Sequence, residues 1–307
     1  MFEILGISSQ ALFGQLLIGL INGSFYALLS LGLAVIFGML NIINFAHGAQ
    51  YMMGAFAAYF LLQYAGLDYW WALVMVPLAV GLTGIVIERL FLQRLYKLDH
   101  LYGLLLTFGL ALIIEGTFRN FFGSSGLPYA IPTGVLHVPF WPYELTLAGG
   151  NNLGFMFLPN YRAWVVVFSL AVCLTTWFVI ERTRLGANLR AATENPTLVR
   201  AFGINVPRMI TLTYGFGVAL AALAGVMAAP IYNVSPQMGA NLIIVVFAVV
   251  VIGGMGSIMG AIVTGFGLGI IEGLTKVFFP EASNTVVFVI MAIVLLLRPA
   301  GLFGRSA

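Results

Sequence analysis

Long apolar runs dominate the chain, and short polar connections separate them. Runs such as Val165–Ile180 and Leu242–Ile252 lack the period-two alternation of membrane barrel strands, so they predict helices. A helix needs about 20 apolar residues to cross the hydrocarbon core of a bilayer. The pattern predicts nine spans, near residues 11–38, 48–65, 70–88, 101–121, 162–181, 209–230, 241–255, 257–278 and 284–298.

Composition supports a membrane protein. Hydrophobic residues make up 61% of the 307 residues and charged residues only 7%, whereas soluble domains carry about 25% charged residues. We therefore expect an all-α polytopic membrane protein with eight or nine transmembrane helices, forming one permease domain over residues 1–307. A re-entrant element within 241–278 would lower the number of crossings. The chain leaves no room for a soluble catalytic domain, so we expect that it is not itself an enzyme.

The basic residues predict the orientation of the chain. They concentrate in three segments, which contain Arg89, Arg94 and Lys97, then Arg182, Arg184, Arg190, Arg200 and Arg208, then Arg298 and Arg305. The positive-inside rule places these segments in the cytoplasm. Residues 122–161 contain no lysine or arginine and are predicted to form the main external loop. Nine crossings then put the N-terminus outside and the C-terminus in the cytoplasm.

The most polar stretch of the chain is Glu181–Arg208, and its pattern predicts helix. Its apolar positions recur at helical spacing, and they are Leu189, Ala192, Pro196, Val199 and Phe202. Pro196 interrupts the pattern and Gly203 is a typical C-terminal stop, so we expect a broken helix or two short helices. A short amphipathic helix packs on lipid, on its own bundle or on a partner protein. The mixture of acidic and basic residues favours a protein partner.

Polar residues inside the predicted spans are candidates for a substrate pathway. The stretch Asn41–Gly48, with the sequence NIINFAHG, lies between two apolar runs. It predicts either a cytoplasmic hairpin with polar helix caps or a broken helix that lines a cavity. His47 alone is more often a structural residue than a ligand.

The predicted spans also contain two carboxylates and a run of glycines. Glu115 is four residues from Arg119 and Glu272 is four residues from Lys276, which predicts ion pairs on single helices. The pair Gly253 and Gly254 begins a glycine-rich region that favours close helix packing, or alternatively a hinge. Only one cysteine and three histidines are present, so neither disulfides nor a metal site are expected.

Several motifs in a fixed order resemble those of a known family. Ala191–Glu194, then Gly203–Arg208, then Leu223–Gly225 resemble the coupling loop of binding-protein-dependent ABC permeases, and more narrowly the branched-chain amino-acid permease family. The other matching stretches cover essentially the whole chain, and they are Asn22–Leu28, Asn41–Gly48, Gly253–Ser257 and Arg298–Gly304.

This resemblance implies a subunit of an inner-membrane importer. Such a permease pairs with a second related permease, rests a coupling loop (about 182–208) on a cytoplasmic ATP-binding cassette subunit, and receives substrate from a periplasmic binding protein. The chain has no G-x-x-x-x-G-K-[ST] motif, so ATP hydrolysis would come from those partners and the chain needs no cofactor of its own. Lipid is expected around it, and no nucleic acid.

The resemblance also implies roles for particular residues. The candidates for contact with the ATPase are Arg190, Glu194, Asn195, Arg200, Phe202 and Gly203. The candidates for the substrate pathway are Asn22, Tyr26, Asn41, Asn44, His47, Gly48, Gly253 and Gly254. The substrate of such a system is a branched-chain amino acid, another amino acid, a short amide or urea, and the sequence does not separate these alternatives.

An ion-gradient-driven secondary transporter of small polar solutes is the main alternative. In that case His47, Glu115 and Glu272 would form a route for protons or sodium ions. The structured cytoplasmic loop argues against this alternative, because ion coupling does not need it. An intramembrane enzyme is disfavoured because H-E-x-x-H and G-x-S-x-G motifs are missing from the sequence.

Overall fold

The structure, a computed structural model, describes residues 3–4, 7–40, 42–96, 98–132, 135–136, 145–152 and 157–304. Its α-helices are α1 Ser9–Leu40, α2 Ala46–Ala65, α3 Tyr69–Leu90, α4 His100–Phe122, α5 Asn160–Arg182, α6 Arg184–Glu194, α7 Pro196–Ala201, α8 Val206–Ala228, α9 Met238–Gly253, α10 Ile258–Phe278 and α11 Val286–Leu297. Short 3₁₀ turns cover Leu92–Arg94 and Pro280–Ala282. The strands form three antiparallel pairs, which are β1 Glu3–Ile4 with β2 Ile7–Ser8, β3 Val135–Leu136 with β4 Leu145–Thr146, and β5 Gly150–Asn152 with β6 Phe157–Pro159.

The predicted all-α membrane fold is confirmed. Each of the nine predicted spans coincides with one helix, namely α1 to α5 and α8 to α11. Among the described residues, six helices are long and apolar enough to cross a membrane, and they are α1, α3, α4, α5, α8 and α10. The helices α9 and α11 are apolar but shorter. α2 is 20 residues long, and its buried polar residues His47 and Gln50 lower its hydropathy.

The helices form an inner and an outer layer. In their most apolar windows, α1 is 78% buried, α8 72% and α10 56%, whereas α3, α5 and α4 are only 28%, 22% and 11% buried. The most extensive contact joins α1 to α10, and α8 packs on α1, α2 and α3. Glycine allows α1 and α10 to approach closely, because a Cβ added at Gly269 would lie only 2.4 Å from the backbone of Gly23. Close backbone contact through glycine is typical of helix pairs in membranes.

One end of the bundle gathers most of the basic residues, and we name it the basic end. A crevice there joins the end of α1 to the α3–α4 connection and to Ala192 and Pro196, and a second brings Gly256 beside Arg190. The C-terminal segment returns to the same end, where the amide of Leu302 donates to the carbonyl of Ile252 over 2.8 Å. Its described basic residues are Arg89, Arg94, Arg182, Arg184, Arg190, Arg200, Arg208 and Arg298. Lys97 and Arg305, which belong to the predicted basic segments, lie outside the described residues.

The opposite end is formed by the remaining connections. The predicted external loop, residues 122–161, lies here, although part of it is outside the described residues. Leu127 forms a two-hydrogen-bond bridge with Val234 from the α8–α9 connection, at 2.8 and 2.9 Å. The buried hydroxyl of Tyr161 donates to the carbonyl of Met227 over 2.8 Å. These contacts fix the α8–α9 connection, which borders the cavity described below.

Candidate functional site

Two short helices, α6 and α7, project at the basic end, as the broken pattern predicts. Asn195 separates them with a non-helical backbone, and its side-chain oxygen accepts from the amide of Leu198 over 3.0 Å, which caps α7. Pro196 occupies the first turn of α7, where a missing N–H costs nothing. Gly203 follows α7 with φ of +81°, a conformation that glycine adopts without strain. Asn195 and Gly203 therefore shape this segment.

Arg190 binds its own chain. Its Nη1 donates to the carbonyl of Ile180 over 2.5 Å and lies 3.3 Å from a carboxylate oxygen of Glu181. These contacts hold α6 against the end of α5. The packing at the corner is also tight, since Gly186 is in direct contact with the backbone of Ile180. Arg190 thus positions α6, although 40% of its side chain is exposed.

The apolar face of the segment differs from the predicted one. Leu189, Ala192 and Val199 are buried, but Pro196 is exposed and Phe202 is 77% exposed. Phe202 belongs to the predicted apolar positions but lies apart from the three that are buried, because the break at Asn195 restarts the helical periodicity. Other residues of the segment are also exposed, and they are Leu185, Glu194, Leu198 and Arg200. The outer surface of α7 therefore presents large apolar side chains beside charges of both signs.

A buried carboxylate ties α8 to α3 just beside this segment. Glu88 on α3 is fully buried and accepts hydrogen bonds from Thr211 Oγ1 at 2.7 Å, Tyr96 Oη at 2.5 Å and Gln93 Nε2 at 3.2 Å. Burial, together with the Glu88 carboxylate, raises the pKa of Tyr96 well above its usual value, so this hydroxyl remains a donor. Sequence alone did not identify Glu88, because it lies next to Arg89 at a predicted span end, where carboxylates usually reach water.

Replacing Glu88 by leucine should destabilise the protein. The change leaves the hydroxyl of Tyr96 without an acceptor, at about 1–3 kcal/mol, and removes one of two acceptors from Thr211 and from Gln93. It also puts an apolar side chain among these polar groups. We expect the thermal unfolding temperature in detergent to fall by roughly 5–10 °C. Glu88→Gln keeps an acceptor oxygen and should cost less, and Glu194→Leu, at an exposed site, should have little effect. Equal melting temperatures for all three variants would contradict this prediction.

A cavity of about 300 Å³ opens at the opposite end of the bundle, between α1, α2 and the start of α9. We name it the amide cavity, after the asparagines in its wall. It is lined by Asn22, Phe25, Tyr26, Tyr51, Tyr232, Asn233, Ser235, Met238, Asn241 and Leu242. Tyr232 Oη donates to Asn22 Oδ1 over 2.8 Å. Two of the predicted pathway residues, Asn22 and Tyr26, thus lie in one cavity.

An ion pair stands directly behind the wall of the amide cavity. Tyr26 Oη donates to Glu272 Oε2 over 2.6 Å, and the other carboxylate oxygen is 2.5 Å from Lys276 Nζ. The predicted pairing of Glu272 with Lys276 is confirmed, as is that of Glu115 with Arg119 at 2.6 Å. The pairing neutralises the charge of Glu272 while leaving a carboxylate in contact with a cavity residue.

The other predicted pathway residues lie elsewhere. His47 is buried in the first turn of α2, with Nε2 3.0 Å from the carbonyl of Leu29, and Asn44 Nδ2 donates to Gln50 over 3.2 Å. Gly48 is pressed against the backbone of Gly239. Several polar atoms of this cluster have no partner among the described residues, a situation in which internal water is usual. Asn41 lies outside the described residues.

Gly253 and Gly254 lie at the basic end and do not reach the amide cavity. Gly254 has φ of +101°, and a Cβ there would lie 2.5 Å from the amide nitrogen of Gly304. The amide of Phe303 donates to the carbonyl of Gly253 over 3.1 Å. The glycine pair therefore lets the C-terminal segment lie directly on the end of α9.

Comparisons with known proteins agree with this architecture. A family model described as "Branched-chain amino acid transport system / permease component" matches residues 15–296. LivH of Escherichia coli K12, named a high-affinity branched-chain amino acid transport system permease protein, is 31% identical over 306 residues, with 95% of each chain covered. BraD of Pseudomonas aeruginosa, with the same description, is 32% identical over 301 residues, again with 95% of each chain covered. LivM of E. coli K12 is 28% identical over 299 residues, covering 92% of this chain and 68% of LivM. No solved structure gives a significant match.

Proposed function

Because this chain belongs to the family of branched-chain amino acid transport permease components, we propose that it is a permease subunit of a binding-protein-dependent ABC importer. In this proposal it carries branched-chain or related amino acids across the inner membrane. Separate cytoplasmic subunits hydrolyse the ATP, and a periplasmic binding protein delivers the substrate. The likeness to both LivH and LivM, two permease proteins of the same description, supports pairing with a second, related permease.

The basic end is assigned to the cytoplasm. Eight described arginines lie there, against Arg119, Arg162 and Lys276 on the helices near the opposite end, which is the asymmetry of the positive-inside rule. The C-terminal segment is then cytoplasmic, and the amide cavity opens toward the periplasm. The poorly buried faces of α3, α4 and α5 contact lipid or the second permease.

The observation that carries the ATP-driven mechanism is the exposed apolar surface of α7 and of Phe202, which directly follows it. Phe202 is 77% exposed and Leu198 is 54% exposed. The cap at Asn195 holds α7 in a defined place, and Arg190 does the same for α6. Exposed aromatic and aliphatic side chains on a structured element are typical of protein contact sites. In our proposal α6 and α7 are the coupling helices. Phe202 is inserted into the ATPase, with Glu194 and Arg200 at the rim of the contact.

The contacts of the intramembrane charges give no support to an ion-driven mechanism. Glu272 and Glu115 are paired with cations on their own helices. His47 contacts a backbone carbonyl and has no carboxylate partner within the part of the chain that the structure describes. A proton or sodium route requires carboxylates that change their charge or ligands during the cycle. Paired carboxylates are better suited to a structural or electrostatic role.

Uptake by the reconstituted complex tests the proposal. Proteoliposomes would contain this chain, the second permease and the ATPases, with binding protein added outside and labelled leucine as substrate. We expect uptake only with internal ATP and binding protein, and none with an ATPase variant that binds but does not hydrolyse ATP. Uptake by this chain alone, driven by an imposed proton or sodium gradient, would refute the proposal.

A further inference from the structure

The amide cavity has the size and polarity of a small-molecule site. Its volume of about 300 Å³ lies at the lower bound of the roughly 300–1,000 Å³ of ligand pockets. One part of its wall is apolar, formed by Phe25, Met238 and Leu242, and the rest is polar. The cavity thus separates an apolar surface from a set of hydrogen-bonding groups, as a ligand with one apolar and one polar part requires.

Several polar groups of the cavity have no partner of their own. Tyr51 is only 1% exposed, lines the cavity, and has no hydrogen bond with any described residue. The side chains of Asn233, Ser235 and Asn241 likewise form none within the described part of the chain. A buried hydroxyl without a partner costs about 1–3 kcal/mol. The buried hydroxyl of Tyr51 therefore indicates that a ligand or water completes its bonds. Asn233 and Asn241 are exposed and Ser235 is half-buried, so their polar atoms are open to the same ligand.

Two sides of the cavity carry partial charges of opposite sign. On one side the carboxylate of Glu272 accepts the proton of Tyr26, which leaves the lone pairs of the phenol oxygen facing away from it and enriched in negative charge. On the other side α9 begins at Met238, and Gln237 gives it no side-chain cap. A helix N-terminus carries a partial positive charge that favours carboxylates. No formally charged side chain is among the residues that line the cavity.

We propose that the amide cavity is a transient binding site for a zwitterionic α-amino acid with an aliphatic side chain. The ammonium group lies beside Tyr26, Tyr51 and Asn22, whose oxygen atoms accept its protons. The carboxylate lies toward Asn241 and the start of α9, and the aliphatic side chain contacts Phe25 and Leu242. This inference rests on the proposed function, and it adds the location and the orientation of the substrate.

The arrangement distinguishes this ligand from others of similar size. Urea and short amides do not use the apolar wall. A monovalent cation or anion matches only one side of the cavity, while a zwitterion matches both. Neutral amide and hydroxyl partners bind it more weakly than a site with fixed counter-charges would, because the cavity supplies hydrogen bonds to both charged groups but no ion pair. Weak binding suits a site that substrate must leave in each transport cycle.

Cysteine protection tests the site directly. Asn241→Cys, at an exposed wall position, would be introduced into the full complex, where the native Cys173 is buried. A small thiol reagent would be added from the periplasmic side without binding protein. We expect leucine at three times its apparent dissociation constant to slow modification about fourfold, because only about a quarter of the sites are then empty and open to the reagent. Leucinamide, which lacks the carboxylate, and 4-methylpentanoate, which lacks the ammonium group, should protect far less.

Two further variants make the result specific. Tyr64→Cys, 80% exposed and outside the cavity at the same end, should react at the same rate with and without leucine. Tyr51→Phe in the Asn241→Cys background removes one hydroxyl without changing the shape, and should raise the leucine concentration for half-protection about tenfold.

The outcomes separate this inference from the proposed function. If the wild-type complex takes up leucine with ATP and binding protein but leucine does not protect Asn241→Cys, the cavity assignment is wrong and the importer assignment stands. Equal protection by leucine and both analogues, protection of Tyr64→Cys, or a complete lack of reaction at Asn241→Cys would also overturn it. If the wild-type complex shows no ATP-dependent uptake, the proposed function itself fails.

Discussion

Replacing Phe202 by aspartate is expected to abolish ATP-driven uptake while leaving the permease folded. The side chain is 77% exposed and contributes nothing to the buried cluster of Ala192, Val199 and Val206, so its loss should not destabilise the chain. Loss of an aromatic anchor at the centre of an interface costs about 2–4 kcal/mol, or roughly 30- to 1,000-fold in affinity. A buried carboxylate in its place adds a desolvation cost. Co-purification of the ATPase with tagged permease, and uptake, would both be measured.

A matched control is available at the other end of the bundle. Phe279 is 72% exposed, so Phe279→Asp makes the same chemical change at a similar exposure, away from α7. We expect this variant to retain the ATPase and to transport. If Phe202→Asp bound the ATPase and transported like wild type, α7 would not be the coupling surface.

Arg190 differs from Phe202 in its bonds within the chain. Its guanidinium is bound to the carbonyl of Ile180 and the carboxylate of Glu181, although 40% of the side chain is exposed. In our proposal Phe202 anchors the contact with the ATPase, and Arg190 positions α6. Both residues were candidates from sequence, and the hydrogen-bond partners of the guanidinium distinguish them.

The helices of the bundle could be predicted from sequence because long apolar runs separated by short polar connections mark them. All nine predicted spans overlap helices, including α9 and α11, which are shorter than a full crossing. The two ion pairs were also predictable, since i,i+4 spacing on one helix suffices to bring the charges together. Both features depend on residues that are close in sequence, and a sequence pattern can predict contacts only over such short separations.

Features that depend on distant residues could not be predicted. Asn22 and Tyr26, which lie on one helix, were candidates from sequence. The part that Tyr232 plays in the same cavity could not be predicted, because Tyr232 donates to Asn22 from 210 positions later in the chain. Two donors of Glu88, Gln93 and Tyr96, follow it by five and eight positions, but the third, Thr211, is 123 positions away. The exposure of Phe202 depends on the backbone at Asn195, where a single non-helical residue changed which face is buried. Tertiary contacts decided the first two cases, and a local helix cap decided the third.

The contact between α2 and α8 allows a direct test of this packing, because backbone meets backbone there. A Cβ at Gly225 would lie 2.1 Å from the carbonyl oxygen of Tyr51, and one at Gly54 would lie 2.3 Å from that of Ala222. The two glycines thus face opposite helices across one interface. This contact holds α2, and with it Tyr51, in place beside the amide cavity, so the geometry of the cavity depends on it.

We expect Gly225→Leu to prevent accumulation of folded permease. The side chain cannot be accommodated by a rotamer change, because the opposing atoms belong to the backbone, and overpacking of this kind costs about 3 kcal/mol or more. Gly109→Leu on α4 is the control. A Cβ added at Gly109 would have no heavy atom within 4 Å, and replacing glycine by leucine favours the helix by up to about 1 kcal/mol. Membrane yield and melting temperature in detergent would be measured for both variants. A Gly225→Leu protein as abundant and as stable as Gly109→Leu would show that α2 and α8 are not in backbone contact, and the position assigned to Tyr51 would then be wrong as well.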